Sequence, residues 1–212
     1  MADKSDGKII IFDIANTLVT FRADLRTERL QELCNLSAEE LNARLFTDAD
    51  SPGMQFDRGL IVSSEFFDSC CEIMGVEPTE EFAAKFRHAY QDIFEPRPEV
   101  GELVRELAVE HELWLMSNTN VWHLDYVRSH FDYFSCFTTN CNSCDTTHIK
   151  PERELFEAAI ERSGRPASEL TFIDDRQENV DAAQSLGINA LLYTSVYDVK
   201  KQLSGLSTVA SV

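Results

Sequence analysis

The chain has 212 residues, 43% hydrophobic and 26% charged, which excludes a largely disordered chain and suits one domain carrying a smaller insertion, with a core that needs no disulfide or metal staple. Nineteen Lys and Arg stand against 37 Asp and Glu, a net charge of −18. That field repels nucleic acid and anionic membrane, and it repels phosphorylated metabolites too unless one pocket is locally cationic.

The first eight residues are short and polar, so no secretory signal is expected there. No apolar run approaches the roughly 18 residues of a membrane helix. Lys8-Ile9-Ile10-Ile11-Phe12, bounded by Gly7 and Asp13, reads as a buried strand. Residues 21–94 then change to helical periodicity, with Leu25, Leu30, Leu33 and Leu36 on one face. Ser37-Ala38-Glu39-Glu40 is a capping box opening the next helix. A further helix near 65–74 stops at Gly75, and one after Pro78 carries Phe82, Phe86, Tyr90 and Ile93. The phenylalanines of this stretch (56, 66, 67, 82, 86 and 94) read as its own core.

Pro96-Arg97-Pro98 punctuates the chain, and helix and strand then alternate. Helices are expected at 99–111, 121–130, 152–163 and 179–186. Strands are expected at 113–116, 170–173 and 188–193, and 133–138 reads as extended. The last residues, 204–212, are weakly patterned and expected to fray. This alternation predicts a doubly wound α/β core, a parallel sheet with helices on both faces, with the helical stretch inserted after the first strand. The expected division is a core of residues 1–20 and 95–212 and an insertion of 21–94.

Six cysteines in a chain of this length read as free thiols in a reducing cytosol, so a cytoplasmic protein is expected. Cys136, Cys141 and Cys144, followed by His148, have a spacing that leaves open a structural metal site or a redox-labile Cys141/Cys144 pair beside the reading as ordinary thiols. The loop 140–149 is long and is expected to border the pocket.

In an open parallel sheet, ligands bind beyond the carboxyl ends of the strands. The first strand ends in Asp13-Ile14-Ala15-Asn16-Thr17, the second in Ser117-Asn118-Thr119-Asn120, and the strand near 170 in Asp174-Asp175; Lys150-Pro151 precedes a helix. Three carboxylates in one pocket repel each other unless a cation joins them, and Mg²⁺ is the natural choice. Mg²⁺ and Lys150 supply the local positive charge that a phosphate needs. Ser117 offers a hydroxyl, the turn after it offers N–H groups, and a carboxylate in line with phosphorus can act as a nucleophile.

These four segments resemble, in order, the four motifs of the haloacid dehalogenase-like (HAD) superfamily, over nearly the whole chain. The 104 residues from Asp13 to Ser117 suit a helical cap, and the 33 from Ser117 to Lys150 are too few for a second one. The resemblance implies that Asp13 is the nucleophile and a Mg²⁺ ligand, and that the Ala15 backbone carbonyl is a second ligand. It implies that Asp174 binds the metal directly and Asp175 does so through water or orients its neighbours. Ser117 and Lys150 are implied to bind the phosphoryl group, with Asn118 and Asn120 as further substrate contacts. Arg97-Pro98-Glu99-Val100, His123 behind Asn120, Asn179 behind Asp175, and Phe56-Asp57-Arg58-Gly59-Leu60-Ile61 are similar to bacterial α-D-glucose-1-phosphate phosphatases.

One position departs from the pattern. Most HAD phosphatases carry a second Asp two residues after the nucleophile as acid and base, and here that position is Ala15. Three readings stay open: a phosphatase for a small phosphomonoester such as a hexose 1-phosphate, a weak or inactive relative that binds a phosphorylated ligand or a protein, and a 2-haloacid dehalogenase. A small phosphorylated metabolite is the expected partner under the first.

Overall fold

The computed structural model describes residues 7–209. The expectations for the extreme amino terminus and for residues 210–212 lie outside that range. Strand β1 (Ile9–Phe12) is buried along its whole length. Its side chains alternate: Ile10 and Phe12 enter one hydrophobic core, Ile9 and Ile11 another. A strand covered on both faces must read as a continuous apolar run, and this one does.

A short strand β2 (Val19–Phe21) leads into the helices α1 (Ala23–Gln31), α2 (Ala38–Asn42), α3 (Pro52–Asp57), α4 (Ser63–Met74) and α5 (Glu80–Gln91), with a π turn at Ala43–Thr47. The chain returns through β3 (Phe94–Pro96). Then follow α6 (Pro98–Leu107), β4 (Glu112–Leu115), α7 (Val121–His130), β5 (Phe137–Asn140), α8 (Ser143–Thr146), α9 (Arg153–Ser163), β6 (Leu170–Asp174), α10 (Gln177–Ser185), β7 (Asn189–Leu192) and α11 (Val196–Val209). The five longer strands form one parallel sheet in the order β5-β4-β1-β6-β7. Residues of α6, α7 and α11 fill the core on one face; residues of α9 and α10 fill the other. This is the doubly wound α/β architecture with an inserted helical layer.

The inserted helices have a third core of their own: Leu30, Leu41, Leu45, Phe56, Phe66, Phe86 and Tyr90. One residue joins it from outside, Trp122 of α7, whose ring lies 5.4 Å from Phe56 and 5.6 Å from Phe66. The helix starts follow from capping chemistry: Ser37 and Glu40 form the reciprocal box at α2, and Thr79 accepts from Phe82 N at α5. Gly75 ends α4 in the left-handed region.

Five local expectations are corrected. The stretch expected to be extended at 133–138 begins as a 3-10 turn, Asp132–Cys136, with Tyr133 and Phe134 buried side by side in one core and the Tyr133 hydroxyl bonded to Leu18 O at 3.0 Å. The insertion begins and ends in strands rather than helix, β2 and β3 pairing antiparallel with Phe21 opposite Phe94. Helix α1 stops at Gln31, so Leu33 and Leu36 are only half-buried beyond its end. Residues 204–209 continue α11 rather than fraying. Phe94 joins the sheet-side core, while Phe56, Phe66 and Phe86 lie in the core of the insertion as expected.

The insertion is wedged onto the sheet domain at one turn. Gly59 has φ +68°, and a Cβ there would stand 2.4 Å from the Cys144 carbonyl oxygen of α8. Gly75 has the same φ with open space around it. Gly59→Ala is therefore expected to destabilise by about 2–4 kcal/mol and Gly75→Ala by about 1 kcal/mol, read as denaturant midpoints. Equal costs at the two positions would mean that the contact with α8 is loose.

Candidate active site

Parallel register brings the chemistry to one edge. Phe12 pairs with Leu115 on one side and Ile173 on the other. The residues at or just beyond the strand ends, Asp13, Ser117 and Asp174, therefore emerge together, and Asp13 N bonds to Ile173 O at 2.9 Å. Lys150 arrives from the loop before α9. Its Nζ lies 2.5 Å from Asp13 Oδ1 and 2.6 Å from Asp174 Oδ2. Ser117 Oγ donates to the same Asp13 Oδ1 at 2.9 Å. Asp13 Oδ2 is left without a protein partner among the described residues.

Each member is held in place. Asn118 grips the Lys150 backbone from both sides of its amide, donating to Lys150 O at 3.0 Å and accepting from Lys150 N at 2.7 Å. Asp174 Oδ1 accepts from Arg176 N and Asn179 Nδ2, both at 2.9 Å. The turn after Asp13 has Asn16 at φ +61°. Its bonds run from Leu18 N and Val19 N to Ile14 O and from Asn16 N to Val19 O, bypassing the Ala15 carbonyl. Arg97 clamps the turn through Asn16 O and lies 5.0 Å over the ring of Tyr193.

Charge in this cluster is unbalanced: three carboxylates face one lysine. Burial, helped by the charges of Asp174 and Asp175, pushes Asp13 up to about 6 against the pull of Lys150. Burial alone would depress Lys150, yet Asp13 and Asp174 hold it above its ordinary value. Burial and the Asp174 charge also raise Asp175, which is half-buried.

Among the described residues no three His, Cys, Asp or Glu side chains are gathered as a metal-ligand group; Lys150 stands between Asp13 and Asp174. The donors nevertheless fit a hard divalent cation. They are all oxygens, they carry surplus negative charge, and the Ala15 carbonyl is uncommitted.

The cysteine set does not assemble. Cys136 ends the 3-10 turn, Cys141 is buried in a sheet-side core, Cys144 sits in α8, and His148 faces Glu152 at 3.7 Å. All six cysteines are free thiols.

Asn120 stands apart from the cluster. It is fully buried, caps α7 by accepting from His123 N at 3.0 Å, and spends its amide on Asp57 Oδ1 at 2.6 Å and Tyr90 Oη at 2.9 Å. His123 stacks on Tyr90 at 4.6 Å, and burial depresses its pKa from 6.5 to about 3. Unfolding therefore takes up a proton between those values: the contribution of neutral His123 is complete above about pH 6.5 and fades as pH falls toward 3, with a limiting slope of about 1.4 kcal/mol per pH unit. His123→Phe is expected to flatten the fall in melting temperature between pH 6.5 and 4; an unchanged slope would assign the acid sensitivity elsewhere.

A cavity of about 170 Å³ lies between the sheet edge and the insertion. Ala15, Ser117 and Asn118 form its floor; Phe21, Phe46, Met54 and Phe94 form apolar walls; Arg26 and Asp57 also line it. The Arg26 guanidinium sits 3.6 Å over the Phe46 ring, has no ion pair among the described residues, and is pulled down in pKa by burial. Arg26, Phe46 and Met54 carried no signal in the sequence, because only docking of the insertion puts them over the sheet edge.

A profile of haloacid dehalogenase-like hydrolases matches residues 8–187. The chain belongs to this family. Among curated proteins, this HAD-like hydrolase is 26% identical over 188 residues to the sesquiterpene phosphatase astK of Aspergillus oryzae, covering 88% of this chain and 90% of that one. A HAD family enzyme of Bacteroides thetaiotaomicron, solved in complex with magnesium and inorganic phosphate, matches with TM-score 0.78 and 25% identity over 90% of this chain and 96% of its own. A HAD-like family hydrolase of Porphyromonas gingivalis shares the fold with TM-score 0.78 and 23% identity over 93% and 98% of the two chains. Among the described residues of this hydrolase, no helix is long and apolar enough to cross a membrane.

Proposed function

We propose that the chain is a Mg²⁺-dependent phosphatase that hydrolyses a small phosphomonoester through an aspartyl-phosphate on Asp13. The observation that carries this reading is the fixed carboxylate: Ser117 and Lys150 both hold Asp13 Oδ1, and Oδ2 is free to attack. The magnesium and phosphate in the Bacteroides enzyme and the name of the Aspergillus relative support it. Residues 1–20 and 95–212 are read as the catalytic core and 21–94 as the cap. The six free thiols support a cytoplasmic setting.

Mg²⁺ would be held by Asp13, the Ala15 carbonyl and Asp174, with Asp175 acting through water. When bound it supplies charge neutralisation for the phosphoryl oxygens. Lys150 keeps Asp13 ionised and, with Ser117, stabilises charge on the equatorial oxygens. Asp13 Oδ2 attacks phosphorus in line, and water then cleaves the acyl phosphate. The cap roofs the site against bulk water.

A hexose 1-phosphate is the substrate suggested by the narrower resemblance. The apolar walls formed by Phe21, Phe46, Met54 and Phe94, beside the polar Arg26, Asp57, Asn118 and Thr119, also support a second choice, the phosphate of an apolar alcohol. Phosphate release from glucose 1-phosphate, farnesyl phosphate and p-nitrophenyl phosphate, with Mg²⁺ and with chelator, tests the reading. Mg²⁺-dependent release is expected, faster from farnesyl phosphate than from glucose 1-phosphate. Silence on all three would point to an inactive relative, and chloride release from a 2-chloroacid would point to a dehalogenase.

A further inference from the structure

Breaking an ester of an ordinary alcohol leaves an alkoxide that needs a proton. Ala15 cannot give one, and in-line attack puts the departing oxygen opposite Asp13, whereas Lys150 and Ser117 are bonded to Asp13 itself. Among the described residues lining the same cavity, the insertion supplies one carboxyl. Asp57, at the end of α3, lines it together with Ala15, Ser117 and Asn118.

Asp57 is not a loose cap residue. Ser143 Oγ donates to its carbonyl oxygen. Its neighbour Arg58 pairs with Glu152 at 2.6 Å and donates to Thr147 O at 3.1 Å, and Gly59 is pressed against Cys144. These contacts run from the insertion to α8 and α9 of the sheet domain and fix where the carboxyl sits. Asn120 donates to Oδ1, and Oδ2 has no protein partner among the described residues.

We propose that Asp57 is the acid and base that Ala15 lacks, a catalytic residue contributed by the insertion; this rests on the phosphatase reading above. In the first step Asp13 Oδ2 bonds to phosphorus, the ester P–O bond breaks, and the Asp57 carboxyl gives its proton to the departing oxygen. In the second, the Asp57 carboxylate takes a proton from the attacking water, the acyl–phosphate bond breaks, and inorganic phosphate leaves with Asp57 protonated again. The local electrostatics suit a group that must hold a proton near neutrality. Burial pushes Asp57 up to about 6, opposed by the Asn120 bond and the Arg26 charge; Tyr90, His123 and Cys144 are the other titratable neighbours.

Asp57→Asn, which keeps an acceptor for Asn120, and Asp57→Glu, which keeps the acid, are compared with the wild type at saturating Mg²⁺. The substrates are p-nitrophenyl phosphate, whose leaving group needs no proton, and n-butyl phosphate, whose leaving group does. Rapid-quench rates of the first step are read alongside steady-state turnover, with thermal unfolding as the check on folding. In Asp57→Asn the first step is expected to slow at least 100-fold more for the butyl ester than for the nitrophenyl ester. A nitrophenolate burst is expected to precede slow turnover, and Asp57→Glu should restore part of the butyl rate. Equal slowing of the first step for both esters, or no slowing for either, would overturn the assignment of Asp57 while leaving the phosphatase reading intact. A wild type silent on both esters would remove that reading and this proposal with it. If Asp57→Asn does not fold, Asp57→Glu still decides: a first step slowed more for the butyl ester than for the nitrophenyl ester, as a displaced acid requires, speaks for the assignment, and an unchanged butyl-to-nitrophenyl ratio speaks against it.

Discussion

Asp13→Asn should abolish turnover, by at least about 10⁴-fold, and leave the fold intact. Asparagine can still accept from Ser117 and Lys150 through Oδ1, so the hydrogen bonds survive the change. What disappears is the anionic oxygen that attacks. The native carboxylate is also held at an energetic disadvantage, since burial pushes its pKa up to about 6. At pH 7 in chelator, the variant is therefore expected to melt at or above the temperature of the native chain. This is the usual signature of a site that gives up stability for reactivity. Retained phosphatase activity would refute the nucleophile; a sharply lowered melting point would show that Asp13 has a structural task instead.

Lys150→Met should have the largest effect on stability, about 3–5 kcal/mol at pH 7.5, because it strips the cation from two carboxylates that are almost wholly buried. The pH dependence gives the cause. Asp13 already titrates above its ordinary range, and in the variant the lysine charge that opposes this shift is gone. A carboxyl whose folded pKa is raised contributes stability at low pH and loses it as pH rises through that value. Denaturant midpoints in chelator should therefore separate the variant from the native chain widely at pH 7.5 and narrowly near pH 5. A gap that does not close on acidification would assign the loss to packing of the lysine stem.

The sheet was readable because its central strands are buried on both faces and lead into polar residues. Ile9 to Phe12 followed by Asp13 is the clearest case, and the parallel register with Leu115 and Ile173 explains why Asp13, Ser117 and Asp174 meet. Asn118 and Asn120 were harder, since adjacent polar residues after a strand look alike in sequence. The fold turns Asn118 onto the Lys150 backbone and buries Asn120 as a cap. Strands β2 and β3 are three residues each, too short for alternation to show. Tyr133 and Phe134 misled because bulky aromatics favour extended chain, while their burial in one core overrode that preference. Asp57 had no local signal beyond the turn that contains it, because its surroundings come from α5, α7 and α8, all remote in sequence.

The pairing of Phe21 with Phe94 has an evolutionary corollary. The helical segment leaves and rejoins the sheet domain through neighbouring strands of one small ribbon. A segment so attached can be lengthened, shortened or exchanged between relatives as a cassette, with the Asp13 cluster undisturbed beneath it. If the transplanted piece also carries an acid, as the turn at Asp57 does, then chemistry as well as selectivity can be inherited by recombination.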